Sequence, residues 1–290
     1  VRARHRALIV IACLAGCNEV FDLNRTHFAP DDDDGDGAKN GSDNCPGVYN
    51  PTQSDLDGDG YGDACDDCPL IPDAQDADQD GDGIGDACDP HPFAPGDCLL
   101  LLDGFTDPTT FAAGWDVVGP APAFAPGAVV VQAGSSIIVH DPIDASVVEV
   151  SGNVEVKSSS VAATLQEGSP LPYFGCRLTD LDNCNPLIGV IASHEASGAS
   201  LESNCGPLSA DHVGDSFLLR LHISPVLGGN TGIDCRVDYG LAAAAQQTSS
   251  GLMVLQARPG VAVTRAPATI FAVAAYGVPS GTTCPPTVVR

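Results

Sequence analysis

The chain has 290 residues and a formal net charge of -26, from 38 acidic against 12 basic side chains. A balance this negative excludes a nucleic-acid binder, which needs Lys and Arg to neutralise phosphates. The excess is local: residues 18–97 hold 21 Asp and one Glu against Arg25 and Lys39, a net of -20.

At the amino terminus Arg2, Arg4 and Arg6 precede a short apolar run and then Leu14-Ala-Gly-Cys17. The run is about ten residues, half of the roughly 20 a permanent transmembrane helix needs. The Leu-Ala-Gly-Cys box resembles a bacterial lipoprotein signal. That resemblance implies removal of residues 1–16, lipidation of Cys17, a tether over 17–30 and membrane contact through the lipid. An ordinary secretory signal with an incidental cysteine is the alternative. Asn18 stands where an Asp would favour inner-membrane retention. The expected location is therefore the bacterial cell envelope, as an outer membrane lipoprotein, surface-exposed or periplasmic.

Three twelve-residue stretches follow, with oxygen side chains at positions 1, 3, 5, 9 and 12 and glycine at position 6. The first uses Asp32, Asp34, Asp36, Asn40 and Asp43 with Gly37. The second uses Asp55, Asp57, Asp59, Asp63 and Asp66 with Gly60, and the third Asp78, Asp80, Asp82, Asp86 and Asp89 with Gly83. Calcium is a hard cation that takes six to eight oxygens, and such alternation turns the first carboxylates toward one centre. Glycine permits the turn between them. A backbone carbonyl at position 7, from Ala38, Tyr61 or Ile84, would extend the shell. An acidic, glycine-rich run is often only a solvated linker, but three copies in register argue for ligands. Fifteen residues and Ca2+ are thus the expected metal site. Asn40-Gly-Ser42 also fits a glycosylation sequon, here taken as chance because Asn40 falls on a ligand position.

Asp43-Asn-Cys-Pro-Gly-Val-Tyr-Asn-Pro-Thr-Gln53, followed by the second loop, resembles the thrombospondin type 3 repeat. The next unit departs from it, with Asp73 and Ala74 where the family has Asn-Pro. The resemblance spans residues 31–90 and implies an irregular, calcium-wrapped structure with little core. It also implies the pairings Cys45 to Cys65 and Cys68 to Cys88, each bracketing one loop. The spacing Cys65-Asp-Asp-Cys68 also admits zinc, but no second pair or His cluster supports it.

Residues 91–97, with Pro92 and Pro95 inside and Pro90 just before them, are read as an extended hinge in which His91 is solvated. From 98 to 290 short apolar runs alternate with Gly, Pro and Asn, which predicts many short strands and a β-sandwich or jelly roll. Strands are expected at 99–102, 114–118, 128–132, 136–140, 147–157, 187–192, 217–223, 233–239, 251–256 and 269–276. The alanine run 241–247 is the one helix candidate. The fold class is mainly β: calcium-wrapped repeats, then a sandwich. Phe105, Trp115 on an early strand and the closing strands 251–257 and 269–276 resemble the concanavalin A-like, laminin G-like jelly roll. An immunoglobulin-like sandwich is the runner-up. Six cysteines fall in this half, and the pairings expected are Cys98–Cys284, Cys176–Cys184 and Cys205–Cys235, one of fifteen possible sets.

Catalytic signatures are missing. Glu149 and Glu155 come nearest to the paired acids of a glucanase strand, but their spacing is six with no Asp between. His140, His194, His212 and His222 are scattered, and His222 alternates with Arg220 on what reads as the solvent face of a strand. No catalytic residue is assigned and an enzyme is not expected. The resemblance implies binding of a glycan or a cell-surface protein, with Trp115 as core and Tyr173, Phe174 and Tyr239 as candidate sugar platforms. The alternatives are a structural envelope protein without a ligand and a glycan-degrading enzyme.

Overall fold

The computed structural model describes residues 31–73, 75–143, 145–153, 160–166, 173–181, 184–193, 204–205, 216–226, 230–239, 242–252, 258–264, 266–278, 284 and 288–289. The signal, the tether and Cys17 lie outside them. The chain divides into two compact units, Val1–Asp66 and Asp67–Arg290. The first holds the first two acidic loops. The third loop belongs to the unit that contains the sandwich, so the division falls before that loop and not at the proline-rich segment 91–97.

In chain order the second unit has β1 (Cys98–Asp103), α1 (Pro108–Gly114), β2 (Trp115–Val118), β3 (Ala123–Ala125), β4 (Ala128–Val131), β5 (Ser135–Val139) and β6 (Val147–Asn153). It continues with β7 (Ser160–Gln166), β8 (Tyr173–Leu181), β9 (Cys184–Ser193), β10 (Asn204–Cys205), β11 (Ser216–Val226) and β12 (Asn230–Tyr239). It closes with β13 (Ala242–Leu252), β14 (Arg258–Thr264), β15 (Ala268–Gly277) and β16 (Val288–Val289). One sheet is ordered β13-β12-β11-β6-β15-β1-β16, with β4 also on β15 and β3 on β4. The other is ordered β10-β9-β8-β7-β14-β5-β2. This is a mainly β, two-sheet sandwich of the jelly-roll type.

Period-two alternation decides what is inside. On β6 and β11, Val148, Val150, Leu219 and Leu221 face the core, as do Val273 and Ala275 of β15. Trp115, Ile137, Val139, Val161, Ala163, Val261 and Val263 come from the opposite sheet. Phe105, Phe111 and Trp115 cluster at one end, with ring centroids 5.6–6.2 Å apart. The indole Nε1 of Trp115 donates to Asp103 at 2.6 Å, which satisfies its one polar atom. Trp115 is therefore a core residue, as its sequence context suggests.

Two local expectations change. The alanine run is a strand: Ala242–Leu252 pairs with β12 in register from Tyr239↔Ala242 to Thr231↔Leu252. Ladder hydrogen bonds to a neighbouring strand outweigh alanine's helical preference, which is only a weak prior. Among the described residues the helix is Pro108–Gly114, with Asp107 as N-cap accepting from the Thr109 amide and proline at its first turn.

The structure joins Cys45 to Cys65, Cys68 to Cys88 and Cys98 to Cys284. Zinc at Cys65 and Cys68 is thereby excluded. The hairpin register sets Cys176 opposite Val190 and Cys184 opposite Leu181. Five strand positions separate those places, about 16 Å, whereas a disulfide needs Cα atoms within about 7 Å. The backbone therefore does not bring Cys176 to Cys184. The side chains of these two, and of Cys205 and Cys235, lie outside those described.

Candidate metal centre

Each acidic loop is organised by its own backbone amides, and the pattern repeats in register. The position-1 carboxylates of Asp32, Asp55 and Asp78 accept from the amides of positions 4 and 6: Gly35 and Gly37, Gly58 and Gly60, Gly81 and Gly83. The position-5 carboxylates of Asp36, Asp59 and Asp82 accept from the amides of Ala38, Tyr61 and Ile84. The position-6 glycines have φ of 101°, 105° and 92°, as a left-handed turn requires. The position-4 glycines are also left-handed, at 81°, 80° and 79°. Both glycines recur in all three loops, so the fourth position carries the same conformational demand as the sixth.

Positions 1, 3 and 5 converge. In Asp32, Asp34 and Asp36, in Asp55, Asp57 and Asp59, and in Asp78, Asp80 and Asp82, one oxygen from each side chain lies within 4.8 Å of the others. A cation bonded to oxygens at 2.3–2.6 Å can span such a set. The fit rests on a further observation: Asp34, Asp57 and Asp80 each keep a buried Oδ2 with no hydrogen-bond partner. Buried carboxylate oxygens are normally satisfied, and the same orphan recurs at position 3 of all three loops. Burial raises the pKa of Asp34 and Asp80 above the ordinary carboxylate value. It pushes Asp57 up to about 6, with neighbouring Asp59 and Asp55 adding repulsion. Asp78 moves the other way, held down chiefly by the Gly83 amide.

The ninth position behaves differently. Asn40, Asp63 and Asp86 each accept from the amide of position 2, that is Asp33, Leu56 and Gln79, at 2.8–3.0 Å. They brace the loop and stand outside the converging triads. At position 12, Asp43 and Asp89 use one oxygen for the amide two residues on, Cys45 and His91, and keep the other buried without a partner. Asp66 occupies the corresponding place in the second loop, its amide donating to the Gly62 carbonyl.

The segment after the first loop folds back on it. The Gln53 amide nitrogen donates to Asp36 and Asp43 at 3.0 Å each, and the Asn50 amide donates to Asp36. In the next unit Asp76 takes the place of Gln53: both have φ near 50°, and the Asp67 amide donates to Asp76 as the Asn44 amide does to Gln53. The departure from Asn-Pro therefore preserves this turn. Asp67, crowded by Asp76, Asp78 and Asp82 and raised first by burial, is pushed up to about 6. Gly62 and Gly85 pack against the disulfides, where a Cβ would meet the sulfur of Cys45 or Cys68 at 2.8 Å.

Residues 91–97 are not an extended hinge. His91 Nδ1 lies 2.9 Å from Asp97, and the amides of Gly96 and Asp97 donate to Asp82 at 2.7 and 2.8 Å. The strand face read as solvent is also covered. Arg220 donates to the carbonyls of Ala87, at 2.7 Å, and Cys88. Register places it opposite Glu149, which is fully buried, with Arg220 Nε 3.4 Å away. Glu149 is thus ion-paired beneath the third loop, while Glu155, His194 and His212 lie outside the described residues. The exposed His140 pairs with Asp116, which also meets Arg258. The side chains of Tyr173, Phe174 and Tyr239 are outside those described.

The thrombospondin type 3 repeat family matches residues 30–53, a shorter span than the loops themselves. No curated protein matches the chain. Similar solved structures include the VIP36 exoplasmic/lumenal domain in its Ca2+/Man3GlcNAc-bound form, at 13% identity and TM-score 0.40, covering 62% of this chain and 90% of that one. A prokaryotic beta-1,3-1,4-glucanase (lichenase) from a mouse hindgut metagenome has 11% identity and TM-score 0.43, covering 60% and 97%. The Emp46p carbohydrate recognition domain, potassium-bound, has 13% identity and TM-score 0.41, covering 61% and 94%. Likeness at this level carries no conclusion about activity. What sequence, fold and site define is a thrombospondin type 3-like motif, acidic loops able to hold a cation, and a jelly-roll β-sandwich.

Proposed function

We propose that this chain is a calcium-binding lipoprotein of the bacterial cell envelope whose acidic loops act as a spacer presenting the β-sandwich for adhesion or for recognition of a carbohydrate or protein. The observation that carries the calcium reading is the buried, unpartnered oxygen at the third position of all three loops. Oxygen-only donors at this spacing suit a hard divalent ion, and extracellular modules of this kind bind in the range of about 10⁻⁴–10⁻³ M. The mechanism follows from charge. Carboxylates about 5 Å apart repel by nearly 1 kcal/mol per pair even in bulk water, so the loops compact round the ion and expand without it.

The first two loops, in their own unit, supply the spacer, and the third serves the sandwich. Burial of Glu149 against Arg220 favours binding over hydrolysis, because a general acid or nucleophile must reach substrate. The Leu14-Ala-Gly-Cys17 box supports anchoring at Cys17. Calcium titration of the purified chain, with hydrodynamic radius as readout, tests the spacer: an unchanged radius on chelation removes it. A glycan array tests recognition. Labelled fatty acid incorporated into wild type but not into Cys17→Ala tests the anchor, and equal labelling of the two would refute it.

A further inference from the structure

We infer that Asp97, together with Asp82 and Asp89, forms an additional divalent-cation site joining the third acidic loop to the first strand of the sandwich. One oxygen from each of the three lies within 4.8 Å of the others. That spacing is what a single calcium ion bonded to all three at 2.3–2.6 Å produces. Asp97 is 0% exposed and Asp89 6%. Asp97 Oδ1 and Asp89 Oδ2 are both buried and have no hydrogen-bond partner. Asp97 Oδ2 faces His91, and Asp82 Oδ2 receives the Gly96 and Asp97 amides, so the remaining bonds hold the three carboxylates in place.

The first loop supplies an internal comparison. There the fifth and twelfth carboxylates, Asp36 and Asp43, are bridged by the neutral amide nitrogen of Gln53. The equivalent pair in the third loop, Asp82 and Asp89, meets a third carboxylate instead. A donor has been replaced by an acceptor, and the buried, unpartnered oxygens of Asp89 and Asp97 meet the half-buried Asp82 carboxylate. The His91 imidazole brings at most one positive charge, and it lies against Asp97 Oδ2. Arg220 is committed to the carbonyls of Ala87 and Cys88 and to Glu149. A divalent cation supplies what the side chains do not. Because Asp97 directly precedes β1, whose Cys98 is tied to Cys284, the ion would fasten the loop to the sandwich.

This inference rests on the calcium reading of the loops, and the test separates the two. Equilibrium dialysis of the full chain at saturating calcium counts bound ions for wild type and for Asp97→Asn, in which Asn still accepts from His91. One ion fewer in the variant is the expected result. Equal counts overturn this site and leave the loops untouched, whereas a wild type that binds none overturns both. Should the variant fail to fold, a calcium-soaked crystal of the wild type decides. Ion density bonded to Asp82, Asp89 and Asp97 supports the site, and filled loops with nothing at these three residues refute it.

Discussion

Replacing Arg220 with Met is expected to destabilise the sandwich unit by about 3–5 kcal/mol, the usual cost of leaving one member of a buried ion pair alone. Arg220 Nε lies 3.4 Å from Glu149, whose side chain is 0% exposed, and Arg220 itself is only 16% exposed. At an effective dielectric near 20 the pair's attraction is about 5 kcal/mol before desolvation is counted, which brackets the same range. The variant also loses the bonds from Arg220 to the Ala87 and Cys88 carbonyls, so the third loop loosens together with the sheet. Urea unfolding at saturating calcium, followed by the fluorescence of the single Trp, reads the sandwich core directly, since Trp115 sits within it. Glu149→Gln should cost less, about 1–2 kcal/mol, because the Arg220 guanidinium left behind keeps its bonds to the Ala87 and Cys88 carbonyls and some contact with solvent. The double variant should cost less than the sum, with a coupling of at least about 2 kcal/mol. An Arg220→Met chain within about 1 kcal/mol of wild type, the size of an exposed ion pair, would refute the burial argument.

Further outcomes follow from the loops and bridges. Asp57, Asp67 and Asp89 have folded-state pKa values raised to about 6 in the absence of metal. Their contribution to calcium-free stability is full below the unfolded value near 4 and lost as pH rises through about 6. The metal-free chain should therefore be more compact at pH 4 than at pH 7, and light scattering that shows the reverse contradicts this. Calcium must displace the protons of Asp57 and Asp89, so affinity should fall from pH 7 to pH 5 and binding near pH 6 should release protons into weak buffer. Gly85→Ala forces a Cβ against the Cys68 sulfur at 2.8 Å and should cost about 1–3 kcal/mol as an overpacked site. A thermal melt unchanged from wild type would count against that contact. Removing the Cys98–Cys284 bridge by double serine substitution opens a closure of 186 residues, worth about 5 kcal/mol on the chain-entropy estimate. A loss under about 1 kcal/mol in urea unfolding would show that the bridge constrains little in the unfolded chain.

Much of the candidate site was legible because ligand spacing is a local property. Positions 1, 3 and 5 of each loop could be read from alternation, and the structure brings them together. The ninth position was not legible in the same way: an oxygen there is as useful for bracing an amide as for touching an ion, and Asn40, Asp63 and Asp86 do the former. Asp97 escaped because it belongs to no repeat and reaches Asp82 and Asp89 only through the turn at 91–97. Pro90, Pro92 and Pro95 suggest stiffness around it, whereas Gly96, at φ 133°, turns the chain back. The strand pattern of the sandwich was visible wherever one face is core, as on β6 and β11. It failed at Ala242–Leu252, where no alternation marks the strand and only pairing with β12 fixes it. Arg220 and His222 read as solvent-facing because the sequence of a strand does not say what another part of the chain lays over its outer face.

If the acidic loops are built round calcium, calorimetric titration of the purified full chain with calcium chloride to several millimolar will show uptake of at least three ions per chain, one for each converging triad, with half-saturation at about 10⁻⁴–10⁻³ M. Heats indistinguishable from dilution across that range would contradict it.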